Sequence, residues 1–147
     1  MNEKEKTRKE KGADSLIGWS GGDEEVRIEA LQRVREAEWV GEKERAKINS
    51  YIRQLRLKRA NRLGKHTQVQ WKKLVQLVGG ICVRCSEASE KLEKDHIIPI
   101  YQGGSNSIRN IQPLCGRCNR QKGPERINWV RKWRQAQKVK PTSTFTT

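Results

Sequence analysis

Four cysteines form two closely spaced pairs, and this spacing is typical of a metal site. The pairs are Cys82-x2-Cys85 and Cys115-x2-Cys118, with 29 residues between them. Two residues between thiolates allow one turn of backbone to direct both sulfurs at one ion, and two such pairs complete the tetrahedron that zinc prefers. Two disulfides or a redox pair are the alternatives, but the N-terminus shows no signal-peptide pattern, which favours a reducing compartment. We expect a structural zinc whose four thiolates leave no coordination position for a substrate.

An acid and a histidine lie between the cysteine pairs, directly before a run of branched apolar residues. Asp95 and His96 precede "IIPI", and ionisable groups beside a buried strand are costly unless they are hydrogen-bonded, paired or bound to a metal. Asn119 follows the last cysteine. Because adjacent helical residues differ by about 100°, Asn119 can face this strand while Cys118 faces the zinc. Carboxylate and amide oxygens are hard ligands that magnesium or manganese accepts, so the sequence predicts a second ion site beside His96.

The adjacency of Asp95 and His96 constrains the backbone. Neighbouring residues of a regular strand point to opposite faces, so both side chains cannot enter one site from an ideal strand. Pro99 indicates that regular pairing ends nearby. We therefore expect a twist or bulge at residues 95–97, or an ion and a base that approach the strand end from opposite sides.

The positive charge of the chain is unevenly placed. The net charge is +15, and residues 1–44 carry 9 basic against 12 acidic side chains, whereas residues 45–147 carry 23 against 5. Such a field attracts polyanions, of which nucleic acid is the commonest, although a surface charged for solubility alone is the alternative. No apolar run approaches the roughly 18 residues that a membrane span requires. We expect a cytoplasmic protein without membrane contact, as a monomer or weak dimer.

Composition and periodicity divide the 147 residues into four segments. Only 33% of the chain is hydrophobic, which limits the core to part of its length. Residues 1–23 are predicted to be disordered or loosely ordered, and residues 139–147 a flexible tail. Residues 24–65 are predicted to be a long charged helical arm that is broken near Gly41. A solvated or DNA-contacting arm is favoured over an arm that forms one side of a helical pair. Residues 66–138 form the compact zinc domain.

Short elements are predicted within the compact domain. Thr67 and Gln70 fit a capping box that opens a helix over residues 68–78, with Val69, Leu74 and Val78 on one face. Strands are expected near residues 91–98 and 109–112, joined by a glycine-rich loop. A short helix from residue 114 has Pro113 at its first position and Gly123 at its end, and a last helix covers residues 124–138. The fold class is α+β.

Residues 80–123, "GICVRCSEASEKLEKDHIIPIYQGGSNSIRNIQPLCGRCNRQKG", resemble the HNH endonuclease family, in particular its zinc-containing, free-standing type common in bacteriophages. The segment combines both cysteine pairs with Asp-His, the glycine loop, an asparagine and "CN..KG". The resemblance implies a small zinc-stapled ββα-metal domain, here preceded by the long charged N-terminal helix.

The resemblance also implies roles for individual residues. His96 is similar to the general base that takes a proton from the attacking water, and Asp95 to a ligand of the single catalytic divalent ion. Asn110 is similar to the asparagine that braces the loop and orients the histidine, and Asn119 stands where the family has histidine or asparagine as second ligand. An amide binds soft metals less well than imidazole, so magnesium or manganese is expected. Nearby basic residues expected to contact nucleic acid are Arg117, Arg120 and Lys122.

The function that follows is a metal-dependent endonuclease that hydrolyses DNA and nicks duplexes, because one active site cuts one strand at a time. The phage-type resemblance adds a role in genome packaging beside a terminase. A non-catalytic zinc module that binds nucleic acid is the alternative, although it leaves the grouping of Asp95, His96 and Asn119 unexplained. An RNA-cleaving toxin of similar core is a third interpretation.

Overall fold

The computed structural model describes residues 23–139, with side chains to residue 138. The segments predicted to be disordered, 1–23 and 139–147, therefore lie outside the described residues except for Asp23 and the backbone of Val139. The chain divides into two compact units, Met1–Arg59 and Ala60–Thr147. The helices are α1 (Glu24–Glu36), α2 (Glu42–Arg62), α3 (Gln68–Leu77), α4 (Gly116–Lys122) and α5 (Trp129–Val139), and the strands are β1 (Leu92–His96) and β2 (Ile111–Cys115). The predicted α+β class is confirmed.

The described part of the first unit is a pair of helices that bury an apolar cluster between them. The predicted break near Gly41 is present, because α1 ends at Glu36 and α2 begins at Glu42. The Arg45 guanidinium closes the connection by donating to the carbonyl of Val40 at 3.0 Å. The preference for a solvated arm is corrected, since the apolar stripe packs within the chain as a helical pair. The buried side chains of this cluster are Ile28, Leu31, Val40, Ile48, Ile52 and Leu55.

Helix α3 begins at the predicted capping box. The Thr67 hydroxyl accepts from the Gln70 amide at 3.1 Å, and the Gln70 side chain accepts from the Thr67 amide at 2.9 Å. The buried face carries Trp71 and Val78, whereas Val69 is 61% exposed. The prediction that Val69 shares a face with Val78 is wrong, because nine residues at 100° each place the two on opposite sides of the helix.

Strands β1 and β2 form an antiparallel pair whose register runs without interruption from Leu92↔Cys115 to His96↔Ile111. The predicted bulge is therefore absent from the described strand. Pro113 lies within β2 and not at a helix start, and its carbonyl accepts from Val83 N at 3.2 Å. A two-stranded sheet leaves both strands with a free edge, which tolerates the missing proline N–H. The helix accordingly begins at Gly116, later than predicted, and ends as predicted at Gly123.

The second unit has a small core that includes two of the cysteines. Cys82 and Cys118 pack with Val78, Val83, Leu114 and Val130, while Trp129 and Trp133 cover the cluster from α5. Helix α5 begins at residue 129 and not near 124. The Asn128 side chain accepts from Arg131 N at 2.8 Å and so caps the helix there. None of the helices in residues 23–139 is long and apolar enough to cross a bilayer.

Candidate functional site

The four cysteine sulfurs converge in the second unit. Each lies within 4.8 Å of the other three, and none forms a disulfide. Zn–S bonds of about 2.3 Å in a tetrahedron place sulfurs roughly 3.8 Å apart, so a small contraction brings these four atoms to the spacing that zinc requires. Four sulfur donors on two short turns fit a structural zinc.

Two backbone segments present these sulfurs. Cys82 and Cys85 lie in a turn after α3, where Ser86 N donates to Cys82 O at 2.8 Å and Ser86 takes a φ of 61°. The second pair spans the junction of β2 and α4. The Arg84 guanidinium links the segments by donating to the carbonyl of Cys118 at 3.1 Å. The cluster therefore joins the turn after α3 to the start of α4.

The protein environment acts differently on individual thiols. Burial raises the pKa of Cys118 to about 12, and the neighbouring thiols add to the rise. Burial also raises the pKa of Cys82, but backbone N–H groups of Cys85, Cys115 and Arg84 outweigh it and lower this pKa to about 7. Cys118 thus stays a thiol until a cation displaces its proton. Ion binding releases protons, and the affinity for metal decreases as the pH falls.

The acidic side chains of β1 face helix α4. Glu93 and Asp95 are two residues apart and so share one face of the strand. Asn119 Nδ2 donates to Glu93 Oε2 at 2.7 Å, so the structure brings this asparagine to Glu93 and not into hydrogen-bond contact with Asp95. Asp95 Oδ2 accepts from Gln112 Nε2 at 2.6 Å, and Asp95 Oδ1 lies 3.2 Å from the Lys122 ammonium.

Lys122 is an interior residue. Its side chain is 1% exposed, that of Asp95 is 10% exposed, and the ammonium also donates to the carbonyl of His96 at 3.0 Å. The prediction that Lys122 contacts nucleic acid is corrected, because its charge is committed to Asp95 inside the fold. Arg117 and Arg120 are exposed on the same helix, and Arg117 lies 3.5 Å from the exposed Glu87.

His96 contacts a different set of residues from its neighbour Asp95. Its Nε2 atom lies 3.1 Å from Asn106 Oδ1, and Asn106 Nδ2 in turn donates to Asn61 Oδ1 at 2.8 Å. The imidazole is half-buried among polar groups and not in an apolar core. These contacts agree with an acid and a base on opposite sides of the strand end.

Asn110 holds the loop that follows β1. Its side chain accepts from Ile98 N at 2.9 Å and donates to Ile98 O at 2.9 Å and Ser105 O at 2.8 Å. The loop packs closely here, because a Cβ at Gly104 would lie 1.9 Å from Ile98 O and 2.9 Å from Asn110 Nδ2. These are the contacts of a side chain that braces the loop next to His96.

Several residues of the site were missed by sequence reasoning. The sequence could have indicated Glu93, because residues two apart in a strand point to the same face, and this places Glu93 on the face of Asp95. Gln112 is the cross-strand partner of Asp95, and only the register reveals it. Asn106 and Asn61 are 45 residues apart, and no local pattern indicates their contact.

A comparison with protein families assigns the class of this domain. Residues 82–125 match the model of the family described as HNH endonuclease. The match confirms the family-level resemblance carried by the motifs of this segment, and it does not extend to the phage type. The family indicates a nuclease, a hydrolase that acts on nucleic acid. No curated protein and no solved structure gives a significant match to the chain.

The buried ion pair predicts the effect of removing its cation. Lys122→Met leaves the Asp95 carboxylate buried and uncompensated, which should lower the free energy of unfolding of the second unit by about 3–5 kcal/mol. Arg120→Met, an exposed position on the same helix, should change it by less than about 0.5 kcal/mol. Urea unfolding of zinc-loaded protein measures both. Equal effects of the two substitutions would contradict the buried pair.

Proposed function

We propose that the second unit is a metal-dependent endonuclease that hydrolyses phosphodiester bonds of DNA and nicks duplexes. The observation that carries the proposal is the position of His96, at the end of a strand whose other face carries two carboxylates opposite Asn119. The same segment matches the HNH endonuclease family, and the cysteine cluster joins its parts. The phage-type resemblance extends the proposal to genome concatemers and a packaging terminase as partner.

His96 is the general base in this proposal. A neutral imidazole accepts a proton from water near neutral pH, and no other histidine or cysteine of the domain is available for this task, because the cysteines form the metal cluster and His66 binds a backbone carbonyl. Asn110 braces the loop beside His96. The hydroxide that results attacks phosphorus, and the bond to the 3′ oxygen breaks.

The residues opposite His96 have the chemistry to hold a hard divalent ion. Glu93, Asp95 and Asn119 offer carboxylate and amide oxygens, the donors that magnesium and manganese accept. Asn119 directs its amide nitrogen at Glu93, and rotation of that amide exchanges nitrogen for oxygen. When bound, such an ion supplies a Lewis acid for the phosphate and the departing oxygen. Glu93 thereby joins the predicted ligands Asp95 and Asn119.

A basic groove in the second unit supports nucleic acid as the substrate. The groove has a volume of about 630 Å³, and its apolar lining includes Ile97, which follows His96 in sequence. No carboxylate lines it within the described residues. Its basic lining side chains are Arg109, Arg131, Arg134 and Lys138. Charge complementarity favours the sugar-phosphate backbone of DNA as its occupant, with Arg117 and Arg120 as further phosphate contacts.

One observation favours the alternative of a non-catalytic nucleic-acid-binding module. The Asp95 carboxylate is neutralised by Lys122 in a buried pair, as in a purely structural role. Such a module needs neither a base at His96 nor a divalent ion. Cleavage and binding measured on one variant separate the two functions.

Replacement of the base tests the proposal. His96→Ala should lower the rate of plasmid nicking in magnesium or manganese by about 10²-fold or more, since general base catalysis contributes 10²–10⁴-fold. Duplex affinity in the same metals should be unchanged, and this serves as the control for folding. Wild-type protein that binds duplex but cuts none in either metal would contradict the enzyme and support the binding module.

Neutralisation of the groove tests the substrate surface. The double substitution Arg131→Gln and Arg134→Gln should weaken duplex binding for all sequences and reduce the slope of log affinity against log salt by about 1.8, or about 0.9 for each phosphate contact. Lys72→Gln with Lys73→Gln removes the same charge from exposed positions on α3. Fluorescence anisotropy over a salt series measures both. Identical slopes for the two double variants would contradict the groove assignment.

A further inference from the structure

We infer that Asn106 is a positioning residue that sets the tautomer and orientation of the His96 imidazole. The catalytic consequence rests on the proposed function, whereas the tautomer does not. Asn106 Oδ1 lies 3.1 Å from His96 Nε2. Asn106 lies in the loop between the strands, ten residues from His96 in sequence.

The end of α2 and the residues that follow it contact three of the four polar groups of Asn106. The backbone N–H of Asn106 donates to the carbonyl of Ala60 at 3.0 Å, and the backbone carbonyl of Asn106 lies 2.8 Å from His66 Nδ1. Its side-chain nitrogen donates to Asn61 Oδ1 at 2.8 Å. The two segments approach closely, because a Cβ at Gly64 would lie 2.7 Å from Ser107 Cβ. Residues 60–66 therefore hold Asn106 from three sides.

This network defines the proton positions on the ring of His96. Since the Asn106 amide nitrogen is directed at Asn61, its oxygen faces His96 and accepts the Nε2 proton. The lone pair then lies on Nδ1, for which residues 23–138 provide no hydrogen-bond partner. At His66 the partner is a backbone carbonyl, which only accepts, so Nδ1 carries the proton there. The two histidines of the chain are thus expected in opposite neutral tautomers.

The tautomer decides which ring atom acts as base. A proton passes from water to Nδ1 of His96, the water oxygen bonds to phosphorus, and the bond to the 3′ oxygen breaks, with that oxygen taking a proton from solvent. Asn106 Oδ1 accepts the hydrogen bond from Nε2 throughout the reaction and stabilises the imidazolium that forms. Asn106 contacts no reacting atom and acts only through His96.

The nitrogen-15 shifts of the two histidines test the inference in the zinc-loaded, full-length protein. The chain has only two histidines, and His96→Ala assigns their signals. In the wild type, at a pH where both rings are neutral, His96 should show the Nε2-protonated pattern and His66 the Nδ1-protonated pattern. Asn106→Ala should remove the preference at His96 and leave His66 unchanged, because the backbone carbonyl of residue 106 remains. Asn106→Asp keeps an oxygen in place and should retain the pattern at His96.

Cleavage kinetics provide the second readout. Asn106→Ala should lower kcat about tenfold, equivalent to about 1.4 kcal/mol, with KM within about twofold, and Asn106→Asp should restore most of kcat. Ser107→Ala, which removes the hydroxyl that accepts from Arg109 N in the same loop, controls for loop disturbance and should leave kcat unchanged.

The outcomes separate the inference from the proposed function. A wild-type His96 protonated on Nδ1, or an Asn106→Ala variant with unchanged tautomer and kcat, would overturn the positioning role. Expected tautomers that respond to Asn106→Ala, in a wild-type protein that cleaves no DNA, would support the positioning role and overturn the nuclease.

Discussion

Convergence of four sulfurs on one point is the constraint on which the second unit depends. Its buried apolar cluster has six members, and two of them are cysteines, so apolar burial alone gives this unit a small core. A zinc ion bound to these four sulfurs would fix the turn after α3 against the start of α4. Glu93 can then meet Asn119 and Lys122 can meet Asp95 across the same gap. The chemistry proposed for the site would therefore depend on a metal that takes no part in it.

Strand β1 separates two polar environments by alternation alone. Its helix-facing side carries carboxylates that are satisfied by an ammonium and two amides, and the next residue, His96, contacts an asparagine network instead. A buried ion pair adds little net stability, because desolvation offsets the attraction, but it strongly disfavours arrangements that separate the partners. Lys122 also binds the carbonyl of His96, so the pair fixes the backbone that carries the imidazole. The carboxylates and the imidazole are thus placed on opposite sides of one strand without a bulge.

Local patterns in the sequence predict a large part of this structure. The cysteine spacing predicts the cluster, Thr67 with Gln70 predicts the start of α3, and Gly123 predicts the end of α4, because each signal depends on residues close in the chain. Errors arise where distant contacts decide. Pro113 suits a helix start by local preference, yet the outer edge of a two-stranded sheet accommodates it in β2, because a missing N–H there removes no hydrogen bond between the strands. The thin apolar stripe of residues 24–62 suggests a solvated arm, because the pattern of each helix alone does not show that α1 packs against α2. Lys122 resembles a phosphate contact in the sequence, but the packing of α4 against β1 places Asp95 beside it.

Hydrogen exchange of the full-length chain, with zinc and after removal of zinc by a chelator, tests most directly whether the cysteine cluster organises the site. One zinc per chain is expected. Chelation should remove amide protection from β1, β2 and α4, while α1, whose buried cluster contains no cysteine, should keep its protection. Unchanged protection of β1 and β2 in metal-free protein would contradict this role of the cysteine cluster, because the strand pair and its site would then form without the metal.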